Sequence, residues 1–194
     1  MKCMVCESLS LTHICPACQD IFLSPALYER TLAGTKVYSF YKYSEIKELL
    51  YTKHTDLGFY IYTILANNSL KKFAQAFSYE YGAVSLGVDE DIKSGYSHTA
   101  ILNKALSSKY IIPLYGMLHA KNKMKYSGKS KAFRLLHPRR FEVGDFAAQE
   151  VIVVDDIITT GLTLTQAIHA LHAKGKKVLF CLTLADAQRK QGEE

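Results

Sequence analysis

No stretch of this 194-residue chain approaches the ~18 consecutive apolar residues that mark a membrane-spanning helix. The longest candidate, around Gly58 to Ala66, is half that length. The start, Met1-Lys2-Cys3, lacks the apolar core of a secretory signal, so the cytoplasm is the expected compartment. Peripheral attachment at the inner face of the cytoplasmic membrane is compatible with the composition. Internal repeats and low-complexity segments are missing too, which sets aside solenoids and disordered linkers. The most informative absence is local. Between Met117 and Arg140, a span of 24 residues, there is no Asp or Glu.

That span instead holds Lys121, Lys123, Lys125, Lys129, Lys131, Arg134, Arg139 and Arg140. Setting these eight aside leaves 16 basic against 18 acidic residues, so the whole excess behind the net charge of +6 lies here. Such a block suits a polyanion: nucleic acid, pyrophosphate or an anionic lipid surface. A solvated surface segment without a partner is the plain alternative. As a whole the chain is ordinary: 48% hydrophobic and 22% charged residues belong to a soluble globular protein, long enough for one domain plus a small appendage.

Residues 1 to about 20 are rich in cysteine and too few to build a core. Lys36 to Tyr43 is aromatic and β-branched and predicts a strand; Ser44 can cap a short helix bearing Ile46, Leu49 and Leu50. A longer helical pattern runs from about Leu57 to Phe77. Tyr81 to Val88 and Tyr110 to Leu114 predict strands, Asp89 to Gly95 a loop, and Tyr96 to Leu106 a helix. From Val151 to Val154 the residues are continuously β-branched, as in a central parallel strand covered on both faces. Leu162 to Ala173 is helical, Gly175 takes the place of a left-handed cap, and Lys177 to Leu184 is the next buried strand. The tail from Asp186 is polar and expected to fray. Strand, helix and strand in about 35 residues form a βαβ unit, so the fold class is α/β with a mostly parallel sheet flanked by helices.

Two motifs carry chemistry. In Val151 to Thr163, VIVVDDIITTGLT, Asp155 and Asp156 fall at the carboxyl end of a strand, where open α/β sheets bind ligands. The two carboxylates suit a ribose diol. The Thr159, Thr160 and Thr163 hydroxyls, with Gly161 before a helix, surround one phosphate with donors and a positive helix end. Together they describe a site for 5-phosphoribose; an Asp-Asp turn ahead of an ordinary helix is the bland alternative. The second motif is Cys3-x₂-Cys6-x₈-Cys15-x₂-Cys18, two CxxC knuckles offering four thiolates to one tetrahedral Zn²⁺. A unit this short needs the metal to fold. His13 lies between the pairs and is a candidate substitute for one thiolate, but with four cysteines available it reads as a surface side chain. Cys181, mid-strand in an apolar run, reads as core.

The thirteen residues from Val151 resemble the signature of the type I phosphoribosyltransferase family: four hydrophobic residues, two acids, then a short Thr-Thr-Gly phosphate loop. The resemblance implies ribose-hydroxyl contacts for Asp155 and Asp156. It implies 5-phosphate contacts for Ile158, Thr159, Thr160, Gly161, Leu162 and Thr163, with phosphoribosyl pyrophosphate and Mg²⁺ as ligands. A four-cysteine module (1–24) ahead of such a domain (25–194) resembles the ComF family, whose members serve natural competence. Gly95-Tyr96-Ser97-His98-Thr99-Ala100 is similar to that family's Arg-Gly-Phe-Asn-Gln-Ala stretch, and Arg134-x₂-His137-x₃-Phe141 to its Arg-x₂-Asn and Phe pattern. The chain departs from the family on the pyrophosphate side. Ser94 stands where arginine is usual, Ser85 to Glu90 lacks the Pro-Val-Pro run, and Asp89, Glu90 and Asp91 oppose an anion unless Mg²⁺ or Lys93 intervenes. Ribose-phosphate binding is therefore better supported than pyrophosphate binding or turnover.

The basic block then has two readings. It is a flap over departing pyrophosphate, or a track for single-stranded DNA with Tyr115, Tyr126, Phe133 or Phe141 available for stacking. The expected function is handling of incoming single-stranded DNA beside DNA-uptake machinery proteins. An active transferase acting on a base or amine, and a ligand sensor without turnover, are the alternatives.

Overall fold

The computed structural model describes residues 1–88, 95–120 and 140–187. The elements in chain order are α1 (Pro16–Phe22), β1 (Tyr28–Leu32), β2 (Thr35–Lys42), α2 (Tyr43–Leu50), a 3₁₀ turn (Tyr51–His54), α3 (Asp56–Asn68), α4 (Leu70–Ala76) and β3 (Ala83–Gly87). Then follow α5 (His98–Ala105), β4 (Ile111–Leu114), β5 (Leu118–Ala120), β6 (Phe141–Val143), β7 (Glu150–Ile158), α6 (Leu162–Ala173) and β8 (Lys177–Asp186).

Six strands form one sheet in the order β1-β2-β8-β7-β3-β4. Only the β1–β2 pair is antiparallel; β2–β8, β8–β7, β7–β3 and β3–β4 run parallel. The fold is thus α/β with a mostly parallel sheet. Strand alternation divides its side chains between two cores. Ile152 and Val154 of β7 join Leu182 and Leu184 of β8 under Ile46, Ile61, Leu65 and Leu102, from α2, α3 and α5. Val151, Val153 and Cys181 face the other way, against Leu164, Ile168 and Leu171 of α6. Coverage on both faces is why Val151–Val154 of β7 and Val178–Leu182 of β8 are continuously apolar rather than alternating. Cys3, Ile14, Cys18 and Leu23 of the amino-terminal segment belong to the first of these cores.

Around the phosphate motif the helix and its cap fall where the pattern predicts, while β7 runs from Glu150 to Ile158, so Ile157 and Ile158, expected in the loop, belong to the strand. α6 spans Leu162–Ala173, and Gly175 takes φ 71°. Its amide donates to His172 O at 2.9 Å, and Lys176 N reaches back to Leu171 O at 3.0 Å, the paired bonds of a left-handed helix end. Elsewhere the structure corrects the pattern. Lys42, not Ser44, caps α2, its amide donating to Glu45 Oε2 at 2.9 Å. The long helix expected from Leu57 breaks at Ser69 into α3 and α4. There the Ser69 hydroxyl donates back to Leu65 O at 2.7 Å and Asn68 Nδ2 donates to Ile64 O at 3.0 Å. These polar groups compete with the backbone ladder and bend the helix. Asp186 is no frayed tail: it ends β8 and is 2% exposed.

α3 also carries a tight contact. A methyl group on Gly58 would overlap the Thr52 carbonyl and the Tyr96 hydroxyl, and that hydroxyl donates to Lys53 O at 2.7 Å and Thr55 O at 3.1 Å. Alanine improves helix propensity by about 1 kcal/mol, but forcing volume against backbone costs about 1–3 kcal/mol and displaces the Tyr96 bonds as well. Gly58→Ala is therefore expected to lower the melting temperature. A melt at or above the wild-type value would show that the turn yields freely.

Candidate functional site

The site begins where β7 ends. Asp155 and Asp156 are still in the strand, so their side chains leave opposite faces of the sheet. Asp155 lies on the side of the loop and lines a pocket with Ile157 to Leu164 and Gln166. Its Oδ1 accepts the Asp156 amide at 2.9 Å. In the loop Gly161 adopts φ 77°, ψ 0° as the residue before α6. The first residues of the helix, Leu162, Thr163 and Leu164, line the pocket. Their amides and the helix dipole favour an anion there. Thr160 Oγ1 accepts from Leu162 N at 3.4 Å, and Thr165 N donates to Gly161 O at 2.9 Å to begin the helix.

The outer side of the loop rests on β1, a strand that the sequence pattern does not reveal. Arg30 donates to Thr159 O at 2.9 Å and pairs with buried Asp186 at 3.5 Å. Leu32 occupies the space over Gly161, where an added methyl group would come within 2.5 Å of its Cδ1. Arg30 carries no motif signal, because its partners lie more than a hundred residues away.

Asp156 turns to the other face and is 6% exposed. Its Oδ2 receives Lys53 Nζ at 3.2 Å and the Tyr62 hydroxyl at 3.2 Å, with His98 Nε2 at 3.4 Å. Its Oδ1 accepts the Ile157 amide at 2.8 Å. Burial by itself would raise the Asp156 pKa, but the Lys53 and His98 charges and the Lys53 hydrogen bond outweigh it and hold the carboxyl below the usual carboxylate range. Tyr62 moves the other way: burial, then the Asp156 charge, pushes its phenol well above its ordinary value, so it stays a donor. His98 sits in the first turn of α5, whose cap is Ser97 Oγ accepting Ala100 N at 3.1 Å.

A depressed carboxyl pKa has a definite sign. In acid the unfolded chain takes up the Asp156 proton first, so this stabilisation is complete above the unfolded value near ~4 and drains as pH falls further. Asp156→Asn is expected to lower stability at pH 7 and to flatten the fall of melting temperature below pH ~4. Parallel acid limbs in wild type and variant would contradict this assignment.

At the amino terminus a tight turn bonds Cys3 N to Ser8 O at 2.9 Å and Glu7 N to Cys3 O at 3.0 Å, with Glu7 at φ 59°. Pro16 opens α1 directly after Cys15 and so places Cys18 in its first turn. The four sulfurs lie within 4.8 Å of one another, and Cys6 Sγ and Cys15 Sγ are 3.7 Å apart. A tetrahedral ion with bonds of about 2.3 Å sets sulfurs about 3.8 Å apart, so the donor set fits one. Amide donation, first from Cys15 and then from Cys6, brings the Cys3 thiol down to about 6. Burial and the neighbouring sulfurs push Cys18 up to about 12. Four thiolates this close repel one another, and a bound cation relieves that repulsion. His13 is not in the group; its ring packs on Tyr60 at 4.8 Å. Cys181 is fully buried in the second core.

Of the basic block, Lys121, Lys123, Lys125, Lys129, Lys131, Arg134 and Arg139 lie outside the described residues, as do Tyr126, Phe133 and the acids Asp89 to Asp91. Arg140 is described and exposed. The block joins β5 to β6, which pair antiparallel with Ala120 opposite Phe141, and β6 packs against α6. Of the stacking candidates, Tyr115 is exposed and Phe141 is partly buried against the second core. No helix among the described residues is long and apolar enough to cross a membrane.

Comparison with known proteins points to the same half of the chain. Residues 101–194 match the family model described as phosphoribosyl transferase domain. No curated protein matches. Among solved structures the chain is similar to an orotate phosphoribosyltransferase from Aeropyrum pernix, at 20% identity over 90% of this chain and 82% of that one, with TM-score 0.42. It is also similar to an adenine phosphoribosyltransferase (16% identity, 88% and 89%, TM-score 0.46). A third is a hypoxanthine phosphoribosyltransferase from Staphylococcus aureus (14% identity, 69% and 67%, TM-score 0.42). Residues 101–194 therefore carry a phosphoribosyltransferase-type domain, and a four-cysteine cluster of metal-site geometry stands at the amino terminus.

Proposed function

We propose that the β7–α6 loop binds phosphoribosyl pyrophosphate with Mg²⁺, and that the chain handles incoming single-stranded DNA on the cytoplasmic side of the membrane during natural transformation. One observation carries the ligand: Asp155 lines the same pocket as the amides and hydroxyls of Thr159 to Thr163 at a helix amino terminus. A carboxylate for sugar hydroxyls beside a cradle for a phosphate suits a 5-phosphorylated ribose. Mg²⁺ would supply neutralisation of the pyrophosphate charge. Zn²⁺ is the ion proposed for Cys3, Cys6, Cys15 and Cys18, since four thiolates are its usual structural set. The zinc module (1–24) would dock to DNA or to uptake-machinery proteins, next to the domain from residue 25.

Support for DNA comes from the eight cations between Lys121 and Arg140, which lead into β6, the strand that packs on α6. The test is fluorescence anisotropy of labelled single-stranded DNA near physiological salt, with and without phosphoribosyl pyrophosphate and Mg²⁺. Binding is expected to weaken linearly with the logarithm of salt concentration and to drop when Lys121, Lys123, Lys125, Lys129 and Lys131 are changed to Gln. No binding, or binding indifferent to those changes, defeats the DNA half of the proposal. A change in affinity on adding the ligand would favour a sensor without turnover.

A second reading, transfer of ribose phosphate to a base or amine, is favoured by the family match over residues 101–194. Its mark is pyrophosphate release with a panel of bases, abolished in Asp155→Asn with Asp156→Asn.

A further inference from the structure

We infer that Cys6 is a site of reversible oxidation, at which hydrogen peroxide closes a Cys6–Cys15 disulfide and empties the metal site. The inference rests on the zinc reading above. It starts from an asymmetry among the four donors. Cys3 and Cys18 are 1% and 5% exposed and belong to the first core. Cys3 Sγ also accepts the Cys15 amide at 3.3 Å and the Val5 amide at 3.4 Å. Cys6 is exposed, and Cys15, the residue before α1, is half-buried. Each CxxC pair therefore contributes one inner cysteine, sheltered from solvent, and one outer cysteine at least partly open to it.

Oxidation of cysteine follows thiolate character and access. A metal-bound sulfur is a thiolate, so access decides among the four, and it selects Cys6. In the first step the Cys6 thiolate attacks the O–O bond of the peroxide. One oxygen stays on sulfur as a sulfenic acid, Cys6–S–OH, and the other leaves as hydroxide. In the second step the Cys15 thiolate attacks the Cys6 sulfur, the S–S bond forms, and a second hydroxide departs. Two electrons pass from the two thiolates to the peroxide, and both hydroxides take protons from the buffer to become water. The Cys15 sulfur lies 3.7 Å from that of Cys6, so the resolving thiolate already stands beside the sulfur it attacks. Only Cys3 and Cys18 then remain as donors, too few for a structural site of four, and the ion is released. The new bond spans the two knuckles and keeps residues 6 to 15 closed in place of the metal. With Cys3 and Cys18 still held in the core, reduction and fresh zinc restore the original set.

The experiment adds hydrogen peroxide in modest excess to the full-length, zinc-loaded chain, with a weak zinc indicator present. The product is alkylated in denaturant and cleaved after glutamate without reduction. Cleavage after Glu7 separates Cys3 and Cys6 from Cys15 and Cys18. The expected result is release of about one zinc per chain, the content of a single four-thiolate site. The two fragments should stay joined until reduced, with Cys3, Cys18 and buried Cys181 alkylated and Cys6 and Cys15 not. A thiol reductant with added zinc should return the full metal content. A bond that includes Cys3 or Cys18 overturns the inference, because access would not then have chosen the pair. Zinc retained under peroxide that consumes free cysteine in the same buffer overturns it too, as does oxidation that the reductant cannot reverse. If the untreated chain carries no zinc, the zinc reading itself fails, a result visible before any peroxide is added.

Discussion

Cys18→Ser is expected to cost the chain its amino-terminal unit and a large share of its total stability. The unit from Cys3 to Cys18 holds little regular structure beyond α1 and an isolated bridge between Lys2 and Leu9. Its four sulfurs converge within 4.8 Å of one another, the arrangement an ion would hold together. Structural zinc contributes about 10–16 kcal/mol of apparent binding free energy in small modules, and a serine oxygen is a poor replacement for a buried thiolate. The effect should not stop at residue 18. Cys3, Ile14, Cys18 and Leu23 pack in the same core as Phe40, Tyr41 and Ile61, Tyr41 donates to Leu23 O at 2.9 Å, and Asn68 Nδ2 donates to Gln19 Oε1 at 2.9 Å. If even about 5 kcal/mol of this is lost, a chain of this size melts roughly 10–20 °C lower. Metal analysis should give about one zinc per wild-type chain and far less in the variant. A strong chelator should move wild type toward the variant's melting curve. A wild-type protein that is free of metal and unmoved by chelator would overturn the reading of this cluster.

Gly161→Ala is the second large effect, and it should appear in binding more than in melting. Two independent costs meet at this residue. A left-handed backbone disfavours a side chain by about 1–2 kcal/mol, and the φ here is 77°. The new methyl group would also press on Leu32 Cδ1 and Cδ2, for roughly another 1–3 kcal/mol. A shift of the Leu32 side chain can relieve the clash, but the cost of the left-handed φ is relieved only if the loop rotates away from its present conformation. Affinity for ribose 5-phosphate is then expected to fall by about tenfold to a thousandfold, with a modest drop in melting temperature. Adding Leu32→Ala separates the two costs. The double variant should regain the share due to the clash and keep the share due to φ. Full recovery would mean that the left-handed turn is not required. No loss in the single variant would remove the loop from binding.

The parts of this molecule that were legible in sequence are those whose partners are close in sequence. Val151 to Gly175 contains its own strand, turn glycine, helix and cap, so local pattern suffices. The cysteine pairs are likewise local, and their spacing already implies one ion. What escaped is long-range. Asp156 stands 103 residues from Lys53 and 94 from Tyr62, and nothing in VVDDII tells an inward carboxylate from an outward one except the register of the strand. β1 escaped because YERTL mixes charge with half-buried side chains, the pattern of an edge strand, and its Arg30 reaches the loop only once the sheet is assembled. The break at Ser69 was hidden for another reason: the apolar 3–4 spacing continues across it, and only a hydroxyl bonding back to Leu65 marks the change of direction.

We propose the end of β7, the Thr159–Gly161 turn and the start of α6 as a ribose-phosphate site. Titration of the full chain with phosphoribosyl pyrophosphate and Mg²⁺, competed by ribose 5-phosphate, tests it most directly. The expected result is saturable one-site binding, displaced by ribose 5-phosphate and strongly weakened in Asp155→Asn and in Gly161→Ala. No saturation, or equal affinity in wild type and both variants, would contradict it.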